Sequence, residues 1–348
     1  MYSLVQMQIS RTMISLIFLM YIGGVLVNCN DDIPFCRKHL KKLKEEIRDW
    51  RERCLNESRH EIISSSCGAE KEYYKERMRT HSKMCFYAGP YPEPYLLVRL
   101  PAEIVATDLE SLDTTVLIRG LKHSAFKYGL EFDYMEKKIY FTEARHIYRM
   151  NFEGGNKEIF VENTDPVDIA IDWKGRRIFW ITSKNQRRKI MVMSLDRGNT
   201  IAKVFVDNEW MTCLEIDSAA GYIFWANFHN SNDLRQRHLV GNNNIRDYTI
   251  YQGFYLEFVK DIALDYQKRI VYVTTGKNRL VAINYTNEVI GSGYRYPVDI
   301  YETLIYFQKK KSPADNIMEM NLVNRNISRY ITLPKNSVPK RFIVVHKS

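Results

Sequence analysis

Two hydrophobic rhythms divide the chain near residue 90. Within residues 30–90, apolar positions recur every three or four residues, which is the spacing of one face of an α-helix. The first series is Cys36, Leu40, Leu43, Ile47, Trp50 and Cys54. The second has the same spacing but is more polar: Cys67, Lys71, Tyr74, Met78, His81 and Cys85. The pattern predicts two helices that pair as a hairpin.

The cysteines at the ends of these series predict disulfide bonds. Cys36 and Cys54 are 18 residues apart, as are Cys67 and Cys85. Four cysteines allow three pairings. Two antiparallel helices would bring Cys36 beside Cys85 and Cys54 beside Cys67, whereas Cys36 and Cys54 would lie ~27 Å apart along a straight helix. The pairing across the hairpin is therefore preferred, and the segment is either an interaction surface or a structural cap.

From residue 91 onward the helical rhythm gives way to short strands rich in β-branched and aromatic residues. One unit recurs, in which an apolar strand ends in Asp and a turn leads into an aromatic-rich strand. The copies are LEFDYMEKKIYFTE (130–143), IAIDWKGRRIFWIT (169–182), LEIDSAAGYIFWAN (214–227), IALDYQKRIVYVTT (262–275) and the shorter VDIYETLIYFQK (298–309). The landmark aspartates are Asp133, Asp172, Asp217 and Asp265.

A third and a weaker fourth strand follow each copy, and four strands per unit are typical of propeller blades. The segment 94–109 supplies two further strands and 339–348 supplies one, so both ends of this region together predict a sixth blade. The expected fold is mainly β, a six-bladed β-propeller preceded by a small disulfide-stapled α-helical hairpin. The predicted domains are a signal peptide at 1–29, the cysteine-rich hairpin at 30–90 and the propeller at 91–348.

The blades resemble the YWTD repeats, or class B repeats, of the low-density lipoprotein receptor family. The tetrapeptide corresponds here to YFTE (140–143), FWIT (179–182), FWAN (224–227), YVTT (272–275) and YFQK (306–309). The resemblance implies a six-bladed propeller that binds peptides or proteins on one face. No copy keeps the final Asp, and Glu143 is its nearest substitute. Since no EGF-like module follows, we expect a lone, diverged propeller rather than an endocytic receptor.

The amino terminus predicts export. Arg11 precedes an apolar run from Met13 to Val27, which is shorter than the ~20 residues that a bilayer-spanning helix needs. Cleavage is expected after or before Cys29, with an uncleaved signal anchor as the alternative. A secreted protein with no membrane insertion after cleavage follows. The glycosylation sequons begin at Asn56, Asn284 and Asn326.

The formal net charge is +10, from 51 basic and 41 acidic residues. This excess is either a solvated basic surface or a surface for an anionic partner, such as a sulfated glycan or an acidic protein. Export argues against nucleic acid as the partner.

The residue four places before each landmark Asp begins the predicted innermost strand. The corresponding residues around the ring are Gly129, Asp168, Cys213, Asp261, Asp299 and, in the closing strand, Arg341. Their gathering at the mouth of the channel would form a small polar site or hold a cation. In the alternative interpretation, the aspartates order strand ends and Arg341 balances their charge. Cys213 is expected to be an inert free thiol, and no metal or cofactor is predicted.

The loops that precede these strands define a second candidate site, the loop face. Its residues are Lys127, Tyr128, Asp165, Glu209, Trp210, Phe258, Lys260, Arg295 and Tyr296. Aromatic and basic side chains mixed in this way are typical of protein-binding surfaces.

Two classes of function follow, and a third is compatible with the composition. The preferred hypothesis is an extracellular binding protein that holds a protein or an anionic glycan on the loop face, without catalysis. A calcium-dependent lactonase or esterase is the enzymatic alternative, supported by Asp168, Asp261 and Asp299. A structural matrix or egg-coat component is the third possibility.

Overall fold

The computed structural model describes residues 94–345, apart from 110–111, 123–127, 185–187, 197–200, 208–209, 228–232, 241–247, 253–257, 284–288, 293, 310–315 and 334–337. It also describes residues 38, 39, 42, 43, 45–47, 49, 50, 53, 70, 73, 74, 76, 77, 80, 90 and 91. The chain divides into two compact units, Met1–Tyr87 and Ala88–Ser348.

The second unit consists of six antiparallel four-stranded sheets, which are the blades of a propeller. Blade 1 contains β1 (Tyr95–Arg99), β2 (Glu103–Asp108), β3 (Thr114–Arg119) and β24 (Arg341–Val345). Blade 2 contains β4 (Leu130–Asp133), β5 (Lys138–Glu143), β6 (His146–Asn151) and β7 (Glu158–Val161). Blade 3 contains β8 (Pro166–Asp172), β9 (Arg177–Thr182), β10 (Lys189–Ser194) and β11 (Lys203–Asp207).

The remaining blades repeat this arrangement. Blade 4 contains β12 (Met211–Asp217), β13 (Tyr222–Asn227), β14 (Asp233–His238) and β15 (Tyr248–Gln252). Blade 5 contains β16 (Val259–Asp265), β17 (Ile270–Thr275), β18 (Arg279–Ile283) and β19 (Val289–Ser292). Blade 6 contains β20 (Tyr294–Tyr301), β21 (Leu304–Lys309), β22 (Asn316–Asn321) and β23 (Ile327–Thr332). The predicted six-bladed propeller is confirmed.

Strands from both ends of the second unit complete the ring. In blade 1 the order is β24-β1-β2-β3, so the last strand of the chain is the innermost strand of the first blade. The prediction that both ends build one blade is therefore correct. The segment 94–109 forms two strands as predicted, and blade 1 also contains β3 (Thr114–Arg119), a strand that the sequence analysis did not identify.

Each gap between neighbouring blades contains its own hydrophobic core, because both faces of every sheet are covered. In β8, Ala170 packs into the cluster shared with blade 4, while Ile169 and Ile171 pack into the cluster shared with blade 2. Blades 1 and 6 share a cluster that contains Val344 of the closing strand and Tyr306. Burial on both faces explains why the inner strands are continuously apolar rather than alternating.

The landmark aspartates build the turns between the first and second strands of their blades. The Oδ1 of Asp172 accepts a hydrogen bond from the Gly175 amide (3.0 Å), and the Oδ1 of Asp217 accepts one from the Ala220 amide (2.8 Å). Asp133 and Asp265 bond their turns in the same way. Such Asx turns relieve backbone amides that the hairpin would otherwise leave unpaired. The last residues of these turns have left-handed backbone: Lys137, Arg176, Gly221 and Arg269.

In the first unit, helical residues lie within 38–53 and within 70–80. Leu43 and Trp50 are buried, and the rings of Trp50 and Tyr74 lie 5.7 Å apart. The predicted signal peptide, the sequons at Asn56 and Asn284, and Cys36, Cys54, Cys67 and Cys85 lie outside the described residues, so these features stay predictions. None of the helices in the described part combines the length and apolar character needed to cross a bilayer.

Candidate functional site

The inner strands of blades 3, 4 and 5 begin with the same local structure. Each is preceded by a non-glycine residue in the left-handed region: Asp165 (φ 46°), Trp210 (φ 74°) and Phe258 (φ 53°). A β-bulge follows within the first three residues of each strand. Left-handed backbone followed by a bulge turns the chain sharply and re-aims the side chains at the amino end of the strand.

Two of these residues present large aromatic side chains on the loop face. Trp210 is 44% exposed and Phe258 is 49% exposed. The backbone around them is held in place, since the Arg188 guanidinium donates to the carbonyl of Met211 and the Gly276 amide donates to the carbonyl of Phe258 (2.8 Å). Because β12 and β16 are the inner strands of neighbouring blades, the two rings occupy equivalent positions on the same face of the propeller.

The other predicted loop-face residues have different surroundings. Asp165 accepts two hydrogen bonds from Arg145 (2.7 and 3.0 Å), which hold the pKa of its carboxyl below the ordinary value. Tyr128 is half-buried, with the guanidinium carbon of Arg99 lying 5.2 Å from its ring centre. These residues support the loops rather than extend from them.

The structure also corrects the location of three loop-face residues. Lys260 lies at the bulge within β16, and Arg295 and Tyr296 belong to β20. They were predicted to be in loops, but the inner strands extend further toward the loop face than the Asp repeats indicated. Lys127 and Glu209 lie outside the described residues.

The channel aspartates tie neighbouring inner strands together. Asp168 Oδ2 accepts the amide of Leu214 (3.4 Å), Asp261 Oδ2 accepts that of Val298 (3.2 Å) and Asp299 Oδ2 accepts that of Val344 (2.6 Å). In each case the acceptor belongs to one blade and the donor to the next. An inner strand has an unpaired edge toward the channel, and these carboxylates satisfy part of it.

Arg341 lies among the channel carboxylates. Its guanidinium contacts Asp261 of blade 5, lies 3.4 Å from a carboxylate oxygen of Glu215 in blade 4 and 4.0 Å from one of Glu131 in blade 2. The side chain starts from blade 1, so one buried guanidinium connects four blades. This contact set raises the pKa of Arg341, although burial opposes its charge.

Sequence reasoning missed two of these carboxylates, Glu131 and Glu215. Burial raises the pKa of Glu215 to about 8, with Arg341 opposing the shift, and burial with the nearby Glu215 carboxyl raises the pKa of Glu131 well above its ordinary value. Burial likewise raises the pKa of Asp299 to about 6. The signal was present in the sequence, because a glutamate stands inside the apolar strands LEFD and LEID, where a buried charge needs a partner.

Asp299 lies deeper in the channel than predicted. It pairs with Tyr306, just as Glu131 pairs with Tyr140 and Glu215 with Phe224. Asp168 and Asp261 instead pair two residues further along the second strand of their blades. The shorter turn of blade 6 shifts its inner strand relative to the Asp repeat, and counting from the landmark missed this shift.

The remaining two channel residues are apolar or small. Cys213 is a buried free thiol at the position that Asp168 and Asp261 occupy in their blades, with the Thr212 hydroxyl 3.5 Å from its sulfur. A Cβ at Gly129 would lie 2.9 Å from Thr142 Cγ2, so the close approach of strands favours glycine there. Among the described residues, no group of three His, Cys, Asp or Glu side chains is arranged to hold a metal.

Glu143, the substitute for the final Asp of the tetrapeptide, makes contacts that stabilise a loop. Its Oε1 accepts the amide of Lys122 (2.8 Å), and its Oε2 is ion-paired with Lys157. The buried carboxylate thus anchors the loop that leads from blade 1 to blade 2.

Comparison with known proteins identifies the fold. No protein-family model matches the chain. The structure is similar to a chain in the crystal structure of a nidogen/laminin complex, with a TM-score of 0.62 and 20% sequence identity over 72% of this chain and 97% of that chain. It is also similar to TolB from Acinetobacter baumannii, with a TM-score of 0.57 and 12% identity over 72% of this chain and 65% of that one. The likeness to the YWTD-type propeller of nidogen supports the predicted resemblance at the level of the fold.

Proposed function

We propose that this protein is a secreted binding protein that holds a protein partner on the loop face of its propeller, without catalysis. The observation that carries the proposal is the pair of exposed aromatic residues, Trp210 and Phe258, at equivalent positions of adjacent blades. Aromatic side chains with rigid backbones around them are the residues that dominate protein–protein binding energy.

Backbone conformation strengthens this proposal. A bulky residue in the left-handed region costs about 1 kcal/mol or more, and such strain persists where the surrounding structure maintains it, often at functional sites. Trp210 and Phe258 share this conformation, although glycine would adopt it at lower cost. The conformation directs two large rings outward from neighbouring blades.

The structural comparisons agree with a binding role. One similar propeller is described as part of a complex with laminin, so this fold presents a protein-binding surface there. A sequence identity of 20% supports similarity of fold alone. The partner of this chain therefore has to be identified by experiment.

The contacts within the channel bear on the enzymatic alternative. Calcium-dependent hydrolysis would need carboxylates directed at a shared metal. Asp168, Asp261 and Asp299 instead accept hydrogen bonds from strand amides, and Arg341 lies among them. These contacts favour a channel that joins the blades over one that holds a metal.

The test is binding of the full-length secreted protein to cell surfaces in excess free heparin, which removes any contribution from sulfated glycans. We expect saturable binding that weakens by about tenfold or more in the double variant Trp210→Ala/Phe258→Ala. Each aromatic side chain that becomes buried against the partner should contribute more than ~1 kcal/mol to the binding free energy. The matched control is Tyr330→Ala/Ile159→Ala, which removes exposed side chains from outer strands. Equal binding by both variants would overturn the loop face as the site, and absence of saturable binding would favour a matrix component.

A further inference from the structure

The opposite end of the propeller carries a second surface, which we call the turn face. It consists of the turns between the first and second strands of blades 2 to 5, at residues 134–137, 173–176, 218–221 and 266–269. The inner strands line one channel, so these turns gather at the end remote from the loop face. Their sequences are YMEK, WKGR, SAAG and YQKR. Three of the four combine an aromatic residue with one or two bases, and the first also contains Glu136.

The cations of the turn face fall into two groups. Arg176 is held by three carboxylates, those of Asp133 (2.8 Å), Glu136 (3.1 Å) and Asp196 (3.4 Å). Lys268 lies near Asp265 (3.6 Å). The side chains of Lys137, Lys174 and Arg269 are exposed and form no ion pair within the described part of the chain. Each of three separate turns therefore presents one exposed cation that has no ion-pair partner among the described residues.

Large side chains are exposed next to these cations. Met135 is 69% exposed, Trp173 is 41% exposed and Tyr266 is 45% exposed, while burial near the channel carboxyl of Glu215 raises the pKa of the Tyr266 hydroxyl. Each belongs to the same turn as one of the unpaired cations. An apolar face beside a positive charge suits a ligand that has both anionic groups and a ring surface against which a side chain can pack.

The turns form a continuous surface rather than isolated tips. Arg176 of blade 3 bonds Asp133 of blade 2, and the Trp173 amide donates to Ser218 Oγ of blade 4 (3.1 Å). The blade 4 turn, residues 218–221, contains only small uncharged residues. It therefore places no bulky or acidic side chain between the basic turns of blades 3 and 5.

We propose that the turn face binds a linear sulfated glycan. The cations of Lys137, Lys174 and Arg269 would contact successive sulfate or carboxylate groups, and Trp173 and Tyr266 would pack against sugar rings. The four turns that define the face contain no helix or strand that could enter a nucleic acid groove, which separates this surface from sequence-reading DNA-binding proteins.

The experiment measures binding of the full-length protein to immobilised heparin across a salt series. The test variant is Lys137→Glu/Lys174→Glu/Arg269→Glu. The matched control, Lys122→Glu/Lys184→Glu/Lys203→Glu, makes the same change in net charge at exposed lysines elsewhere on the propeller. We expect about tenfold weaker binding of the test variant at 150 mM salt and a shallower salt dependence, since fewer counterions are released from the polyanion.

Two outcomes would overturn the proposal. Equal weakening by both triple variants would show that only net charge matters. Binding of the native protein to phosphatidylserine vesicles but not to heparin would assign the face to anionic lipid instead. The variant Trp210→Ala/Phe258→Ala, which alters the loop face, should bind heparin like the native protein, so failure of the glycan proposal is distinguishable from failure of the proposed function.

Discussion

Gly154 shows how closely blades 1 and 2 approach each other. It lies in the turn between β6 and β7 with φ of +83°, and a Cβ there would lie 2.3 Å from the carbonyl oxygen of Leu117. Gly155 also has a positive φ, +90°, but a Cβ there would meet nothing within 4 Å. The two neighbouring glycines separate the cost of left-handed backbone from the cost of a clash with the next blade.

We expect Gly154→Ala to destabilise the propeller more than Gly155→Ala. Left-handed backbone at alanine costs about 1 kcal/mol in both variants. In Gly154→Ala the new methyl also displaces the backbone of Leu117, which adds ~1–3 kcal/mol. The measurement is the free energy of unfolding from urea denaturation at fixed pH. Equal losses in the two variants would show that blade 1 yields at this contact without cost.

The aromatic pair of the loop face shows what a residue type alone cannot reveal. Trp210 and Phe258 were predicted from their position before the inner strands and from their chemistry. Their left-handed backbone was not, because glycine or asparagine is the usual occupant of that region. The left-handed conformation adjoins the β-bulge of each inner strand. That bulge depends on pairing with the second strand of the blade, which the residue type at 210 or 258 does not reveal.

At the scale of elements, the helical segments of the first unit have a recognisable register. Glu46 is ion-paired with Arg77, and Arg53 lies 3.8 Å from Glu70. The partner number falls as the residue number rises, which is the order of antiparallel helices. If the register of these two pairs continues outward, it predicts Cys36 beside Cys85 and Cys54 beside Cys67.

We therefore expect disulfide bonds Cys36–Cys85 and Cys54–Cys67. The measurement is mass spectrometry of peptides from the unreduced protein, in which each pair should be released as one cross-linked species. The double variant Cys36→Ser/Cys85→Ser should lose ~2–4 kcal/mol of stability in the first unit. A cross-link between Cys36 and Cys54 would contradict the antiparallel register.

The inner strands show how far the elements could be predicted. Their buried residues could be predicted, because burial on both faces produces a continuous apolar run. The landmark aspartates could be predicted because the turn requires a side-chain hydrogen-bond acceptor. Glu131 and Glu215 were missed because the channel positions were counted from the landmark to a single residue per strand. Strand β3 was missed because its half-buried outer position weakens the apolar pattern.

At the scale of the whole molecule, closure of the ring depends on contacts at its axis. Arg341 is the first residue of the closing strand and contacts carboxylates from three other blades. Five carboxylates, those of Glu131, Asp168, Glu215, Asp261 and Asp299, surround the channel. One guanidinium cannot neutralise all of them, and burial raises the pKa of Glu131, Glu215 and Asp299, so we expect these three carboxyls to retain protons to higher pH than usual.

This retention determines how stability depends on pH. The pKa of Glu215 is about 8 in the folded protein against an ordinary 4.5. Below about pH 4.5 both folded and unfolded states hold the proton. Between about pH 4.5 and 8 the unfolded chain releases it while the folded protein keeps it, so the free energy of unfolding falls as pH rises. Asp299 and Glu131 shift in the same direction, which concentrates the loss in this range.

We expect the urea midpoint of the native protein to fall from pH 5 to pH 8, and Glu215→Gln to reduce that fall. Each pKa unit corresponds to about 1.4 kcal/mol, so removal of this one titration should recover a few kcal/mol at pH 8 relative to pH 5. Glu319→Gln is the control. Its burial is outweighed by Arg329 and Ser328, which lower the pKa of Glu319, so that its titration acts below about pH 4.5. It should lower stability at pH 5 and pH 8 alike. If both variants kept the native slope, the carboxyls at the axis would be ionised at neutral pH, and closure of the ring would tolerate their repulsion.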